Sequence, residues 1–331
     1  MNYKELLKNI ELDKKYCWLV TGSAGFIGSN LTEALLSLNQ KVKGLDNFTT
    51  GKTQNLEIAV KNNSENFNFI EGSINDYDTC VKATENVDFI LHHAALISVP
   101  ESLEMPLKYH DTNTKGFMNI LDAARKNKVK RVMYASSSAV YGDGLKNPKS
   151  ENDLNPENFL SPYALTKYIN EKCAKFYTKI YGLETVGFRY FNIFGQRQDP
   201  SGAYAAVISK WVDALKTEKI PVIYGNGTAT RDFCAVQNVV LANILAAITP
   251  GISGKVFNIG CGTETNLNDL IKVIYKIFAP DKDVKVKYES ERKGDILKSS
   301  ADIELAEKYL HYKPIVSLEE GLNFLKESLE Q

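Results

Sequence analysis

Short apolar runs alternate along the first half of the chain with longer stretches in which apolar side chains recur every three or four residues. The runs Cys17–Thr21, Val42–Asp46, Phe67–Ile70, Phe89–His92, Val132–Ala135 and Thr185–Tyr190 have the length and near-continuous hydrophobicity of strands buried on both faces. Ser29–Leu38, Lys108–Lys126 and Tyr163–Tyr181 carry the helical period and predict helices between them. Repeated in this order, the units build right-handed crossovers and an α/β doubly wound parallel sheet covered on both faces. Ligands of such a sheet lie at the carboxyl ends of its strands.

After Tyr190 the rhythm loosens, and Gly/Pro/Asn-rich turns occur at Gln198–Gly202, Gly225–Thr228 and Gly260–Thr265. A chain of 331 residues exceeds the usual size of one compact core, so a second, smaller C-terminal domain for substrate is expected over 191–331. The strand Val256–Ile259 and the helix Val236–Ile248 are regular enough to pack back on the first domain. The first domain is therefore expected to comprise residues 1–190 with 236–262 added.

Forty basic and forty acidic residues leave zero formal net charge, with no block of like charge. Neither nucleic acid nor an anionic membrane is favoured as a partner, and any anion site has to be built locally. The five cysteines (17, 80, 173, 234, 261) form no Cys-x-x-Cys pair, and together with a charged start lacking an apolar leader they point to reduced thiols in the cytoplasm. No run approaches the ~18 apolar residues of a membrane-spanning helix, so a soluble protein is expected.

The first strand runs into Val20-Thr21-Gly22-Ser23-Ala24-Gly25-Phe26-Ile27-Gly28, and a helix follows. Gly22 permits a tight turn, Gly25 lets backbone approach a pyrophosphate, and Gly28 allows close packing of helix on strand. The helix N-terminus adds free N–H groups and a positive dipole for the phosphates. Asp46 ends the second strand, where a carboxylate accepts hydrogen bonds from ribose hydroxyls and repels a 2′-phosphate, so NAD is favoured over NADP. The expected domain is thus Rossmann-like. The spacing G-x-x-G-x-x-G is the variant found in the short-chain dehydrogenase/reductase superfamily.

Further along, Tyr163 and Lys167 stand four apart on a predicted helix, with Ser136-Ser137-Ser138 upstream at a strand end. Side chains four apart share a helix face, about 5–6 Å apart at Cβ, so the ammonium is expected to favour the ionised phenol. Bringing a phenol of pKa ~10 near neutrality takes on the order of 4 kcal/mol, which one lysine supplies with help from an oxidised nicotinamide. No cluster of His, Cys and Asp has metal-ligand spacing; His92 and His93 end a strand and are expected to shape the cofactor pocket.

With these motifs assembled in order, joined by Leu45-Asp46-Asn47, His92-His93-Ala94-Ala95, Thr112-Asn113, Arg189-Tyr190-Phe191-Asn192, Thr230-Arg231-Asp232-Phe233 and Arg292-Lys293-Gly294-Asp295, the chain resembles the extended short-chain dehydrogenases, and within them the UDP-galactose 4-epimerase family. The resemblance runs from about Tyr16 to Leu310. It implies a bound NAD held by Gly22, Gly25, Phe26, Ile27, Gly28, Asp46, Asn47, Ser73, Ile74, Ala94, Asn113, Tyr163 and Lys167. Tyr163 is then the base for the sugar 4-hydroxyl, Lys167 its electrostatic partner, and Ser137 the donor to the C4 oxygen, with Ser138 the runner-up.

The resemblance also implies a UDP-sugar substrate and a homodimer formed through the helices at Lys108–Lys126 and Tyr163–Tyr181. Arg231 and Arg292 suit the diphosphate as bidentate forks, with Asn192 beside them, Asp295 at the uridine ribose and Tyr224 at uracil. The branch nearest this chain acts on UDP-N-acetylglucosamine or its uronic acid. Where galactose epimerases carry bulkier residues this chain has Ser299 and Ala206, leaving room for a 2-acetamido group.

Two departures stand out. Gly72-Ser73-Ile74 has serine where the family has an aspartate touching adenine, and Ile97 is bulkier than the glycine frequent at that pocket edge. Two alternatives remain. A sugar-nucleotide 4,6-dehydratase would carry an Asp-Glu pair where Ser138-Ala139 stand, and a non-catalytic dinucleotide sensor would lack the Tyr/Lys pair.

Overall fold

The structure is a computed structural model, and it describes residues 7, 10, 12–144, 146–201, 206–291 and 297–330. Six strands, β1 (Cys17–Thr21), β2 (Lys41–Asp46), β3 (Phe67–Glu71), β4 (Phe89–His92), β5 (Arg131–Ser137) and β6 (Glu184–Tyr190), join an edge strand at Lys255–Ile259. They form one seven-stranded sheet in the order edge strand, β6, β5, β4, β1, β2, β3. Every neighbouring pair is parallel. The order reverses between β1 and β4, which opens a crevice beyond their carboxyl ends.

Alternation along β1 supplies both faces of the sheet. Trp18 and Val20 enter a core with Leu31, Phe188, Ile244 and Phe257. Leu19 enters the opposite one with Ile90, Phe117, Val132 and Tyr134. The helix Val236–Ile248 is buried nearly all round and packs in the first of these cores, so chain from beyond the sixth strand completes the sheet and covers it.

A third core, built by Ile208, Trp211, Ile223, Phe233, Leu270 and Ile274, lies in the C-terminal part of the chain. There Thr230–Arg231 pairs with Thr265–Asn266 on one side and Lys298–Ser299 on the other, and Val222–Tyr224 pairs with Lys287–Glu289.

The single helix expected at Lys108–Lys126 is divided. Pro106–Tyr109 and Gly116–Lys126 are α-helical, and His110–Lys115 between them is a π-turn. The wider turn carries Asn113, whose side chain accepts from Leu96 N at 2.8 Å and donates to Leu96 O at 2.9 Å. Apolar spacing alone does not reveal such a bulge, because the pattern continues through it.

The long helix Pro162–Tyr181 starts on Ser161, whose hydroxyl accepts from Ala164 N, has Pro162 in its first turn, and ends at Gly182 in the left-handed region. Its Glu171 is buried and takes two guanidinium bonds from Arg189 of β6, at 2.9 and 2.8 Å, plus the Ser136 hydroxyl at 2.6 Å. Arg189 also donates to the Tyr141 hydroxyl at 2.9 Å. This satisfied buried network pins the helix that carries Tyr163 against the ends of β5 and β6.

Among the described residues no helix is long and apolar enough to cross a membrane, and no group of His, Cys, Asp and Glu is placed to hold a metal. The five cysteines are free thiols.

Candidate active site

At the crevice between β1 and β4 the chain turns at Gly22, whose φ is +70°. A Cβ there would lie 2.8 Å from the Ala94 nitrogen, and one on Gly28 would lie 2.0 Å from the Gly22 oxygen. Both positions therefore require glycine. The helix Phe26–Ser37 begins at Gly25 with no side chain capping it, so its first amides are available to phosphates. The Thr21 hydroxyl fixes the opposite wall by accepting from His93 N and Ala94 N, each at 3.2 Å, and it pairs with His92 Nδ1 at 2.9 Å. Thr21 was not singled out in the sequence; a hydroxyl residue at the last position of an otherwise apolar strand is its signal.

Asp46 stands at the end of β2 beside this turn. One carboxylate oxygen accepts from Ala24 N at 2.9 Å and the other from Phe48 N at 2.8 Å. It therefore ties the glycine turn to the next loop while each oxygen keeps a lone pair for a ribose hydroxyl. Asn47 accepts from Thr49 N at 3.1 Å.

Three further positions expected to contact the cofactor have side chains with partners inside the protein. The Ser73 hydroxyl accepts from Asn75 N within its own turn at 3.2 Å. Ile74 is buried in the core with Leu45 and Phe117, and Asn113 is committed to Leu96. These three face the protein with their side chains.

The catalytic candidates lie at the carboxyl end of β5. Tyr163 is buried in a cluster with Leu96 and Tyr109, and its ring stands edge-on to Tyr109 at 6.5 Å. Ser137 hydrogen-bonds its phenol and also accepts from Ala139 N at 3.2 Å. Ser138 opens the short turn Ser138–Tyr141 next to it. Lys167 lies one turn along the helix, with Nζ 5.8 Å from the Tyr163 ring centre, and donates to the Ala135 carbonyl at 2.8 Å.

The electrostatics correct the expectation from spacing. Burial raises the Tyr163 phenol above its ordinary value, only partly opposed by Ser137. Burial also lowers Lys167 to about 8. Desolvation thus outweighs the ammonium in the chain alone, and ionising the phenol near neutrality needs added positive charge of the kind an oxidised nicotinamide brings.

Both histidines are neutral. Burial holds His92 well below its usual value and His93 down at about 3. His93 Nε2 pairs with the Tyr190 hydroxyl at 2.9 Å, and Asn243 donates to the same hydroxyl at 2.9 Å.

A cleft of about 250 Å³ in the C-terminal part gathers Asn192, Ala206, Tyr224 and Arg231, together with Trp211 and Phe233. Asn192, at φ +34°, donates to the Asp232 carbonyl at 3.2 Å. Ser299 lies opposite Arg231 in the parallel ladder, and Ile97 is 73% exposed beside Leu96. Arg292 and Asp295 lie outside the described residues. Asp232 is the residue whose role was missed: fully buried, it accepts from Cys261 N at 2.8 Å, Gly262 N at 3.0 Å and Ala301 N at 3.1 Å. Burial lifts its carboxyl to about 6 against these amides.

A glycine turn at the switch point of a parallel sheet, with a buried Tyr–Lys pair one strand away, defines a dinucleotide-dependent enzyme of the short-chain dehydrogenase type. Residues 18–260 match the NAD dependent epimerase/dehydratase family. The chain belongs to that family, and its cofactor is NAD.

A UDP-glucose 4-epimerase of Mycolicibacterium smegmatis is 37% identical over 307 residues, 92% of this chain and 95% of that protein. A solved UDP-N-acetylglucosamine 4-epimerase from Methanobrevibacter ruminantium, in complex with UDP-N-acetylmuramic acid, is 38% identical with a TM-score of 0.88, covering 96% of this chain and 99% of that one. A UDP-glucuronic acid 4-epimerase from Bacillus cereus, solved with UDP-glucuronic acid and NAD, is 31% identical with a TM-score of 0.84, covering 95% of this chain and 99% of that one.

Proposed function

We propose that this protein interconverts UDP-N-acetylglucosamine and UDP-N-acetylgalactosamine. The coarser activity is that of the relatives: the chain is an NAD-dependent UDP-sugar 4-epimerase. Bound NAD supplies a hydride acceptor that returns the hydride to the carbon it came from. Tyr163 takes the proton of the 4-hydroxyl as C4 is oxidised, Ser137 holds the C4 oxygen, and Lys167 keeps positive charge beside the phenolate. The 4-keto sugar turns over before the hydride returns to its other face, and Tyr163 gives the proton back. Ser138 and Ala139 supply no carboxyl group for water loss, which disfavours a 4,6-dehydratase.

The observation that carries the choice of sugar is the small side chain of Ala206 in the wall of the cleft that holds Asn192, Tyr224 and Arg231. Ser299 beside Arg231 is small as well, so the pair leaves volume for an acetamido group. In this reading residues 1–190 with 236–262 hold NAD, and 191–331 hold the UDP-sugar, with Arg292 and Asp295 completing its contacts.

A homodimer belongs to the same proposal. Met118 on Gly116–Lys126 and Leu165, Phe176 and Ile180 on Pro162–Tyr181 are exposed apolar side chains on two adjacent helices, a face suited to a second copy. Light scattering that gave a monomer at micromolar concentration would refute it.

Purified protein incubated with UDP-sugars and followed by NMR tests the substrate. Interconversion of the N-acetylated pair is expected to have the highest kcat/KM, and Ser299→Tyr is expected to lower it on the order of a hundredfold more than that for UDP-glucose. A preference for UDP-glucose or UDP-glucuronic acid in the parent would overturn the assignment.

A further inference from the structure

Between β6 and the cleft, residues Gly195 to Asp199 run along the outside of the glycine turn and fasten to it at both flanks. At one end, a Cβ on Gly195 would lie 3.7 Å from the ring of Phe26, the first residue of the helix whose amides face the phosphates. Next, the Gln196 amide donates to Asn30 at 2.8 Å and Glu33 at 3.2 Å, and Asn30 donates back to the Gln196 carbonyl at 3.2 Å. Arg197 donates to Glu33 at 2.6 Å, with its own side chain only 6% exposed. Its Nε is buried with no partner among the described residues. At the far end Asp199 pairs with Lys52 at 2.9 Å. Lys52 N is bonded to Ala24 O at 3.0 Å, and the neighbouring Gly51 abuts the Asp46 carboxylate.

Five consecutive residues therefore span from the phosphate end of the cofactor site to its ribose end, anchored on Asn30 and Glu33 of the first helix and on Lys52 beyond the second strand. We propose that Gly195–Asp199 is a strap that retains NAD through the catalytic cycle, with Glu33 and Lys52 as its two fastenings. The inference rests on the glycine turn being the NAD site. The chemistry gives the strap its purpose: hydride leaves and returns to one carbon, so loss of reduced cofactor halfway would strand a 4-keto sugar. Neither fastening touches the reacting atoms; both are positioning residues. Lys52–Asp199 is solvent-exposed and weak alone, whereas in Arg197–Glu33 the guanidinium is buried and only the carboxylate is open to water.

The test compares the parent, Glu33→Ala, Lys52→Ala, the double variant, and the exchanged pair Lys52→Asp with Asp199→Lys. Each is loaded with NAD and diluted into buffer containing an NAD-consuming enzyme, and protein-bound NAD is then extracted and measured over time at a temperature where circular dichroism shows every variant folded. The double variant is expected to release NAD at least tenfold faster than the parent, and the exchanged pair to release it more slowly than Lys52→Ala. Release within twofold of the parent, or a drop in thermal midpoint with unchanged release, overturns the strap. A parent that cannot be loaded with NAD at all overturns the site on which it rests.

Discussion

Gly28→Ala would test whether the first helix can keep its amides on the cofactor. The new methyl would lie 2.0 Å from the Gly22 oxygen, 2.7 Å from its carbonyl carbon and 3.0 Å from Ser23 Cα. All three are backbone atoms, so no side chain can rotate out of the way. Restoring contact means moving the start of Phe26–Ser37 away from the turn by about 1 Å or more, and overpacking of this kind costs about 1–3 kcal/mol. Amides displaced from a phosphate lose charge-assisted bonds worth about 1.5–3 kcal/mol each. We expect stability to fall by about 2–3 kcal/mol and NAD affinity to fall by about a hundredfold or more.

Gly182→Ala is the matched control. Unlike Gly28 it sits at positive φ, +71°, but a methyl there meets nothing within 4 Å, so it should cost only about 1–2 kcal/mol of backbone strain and leave NAD binding alone. Urea denaturation gives the stabilities, and calorimetric titration of NAD into stripped protein gives the affinities. Binding within threefold of the parent in Gly28→Ala, or an equal loss in Gly182→Ala, would refute the steric reasoning.

Tyr163→Phe should fold and bind NAD normally but turn over several orders of magnitude more slowly, since the lost group acts on the transition state; single-turnover kinetics with preloaded NAD would expose near-normal chemistry if the base lay elsewhere. Lys167 should show in the pH dependence of stability of the NAD-free protein. Burial holds it at about 8, below the ~10.5 of an exposed lysine, so the folded chain sheds this proton first and the penalty is relieved as pH rises between those values. Over that window the parent should gain on the order of 3 kcal/mol relative to Lys167→Met, measured by denaturant titration at both ends; a flat difference would contradict the burial.

The sheet and the glycine turn were legible because their signals are local. β1 and β4 are bounded as their apolar runs are, and the extra residues of β2, β5 and β6 are the polar or charged ends that hydropathy discounts. Tyr163 and Lys167 were legible as a pair because one helix carries both. What the pair does to its own ionisation was not, since burial comes from Leu96 and Tyr109, distant in sequence. The π-turn at Asn113 answers to the backbone of Leu96 and leaves no mark on the helical period. Asp232 escaped for the same reason: its amide donors arrive from positions 261, 262 and 301. Ile74 was expected at the cofactor from the resemblance alone, and nothing local in the sequence showed that its side chain fills the core.

The position of the seventh strand has a consequence for biosynthesis. β6 ends at Tyr190, but the strand that covers its outer edge ends only at Ile259. During translation at roughly 5–20 residues per second, β6 is made several seconds before its neighbour, and until then its unpaired N–H and C=O groups form an open edge able to capture strands from other nascent chains. A series of ribosome-stalled chains probed by proteolysis should show β6 becoming protected only once Ile259 has cleared the exit tunnel. Slowing synthesis between those two points should increase aggregation, even though β6 is paired along that side by Lys255–Ile259 in the finished molecule.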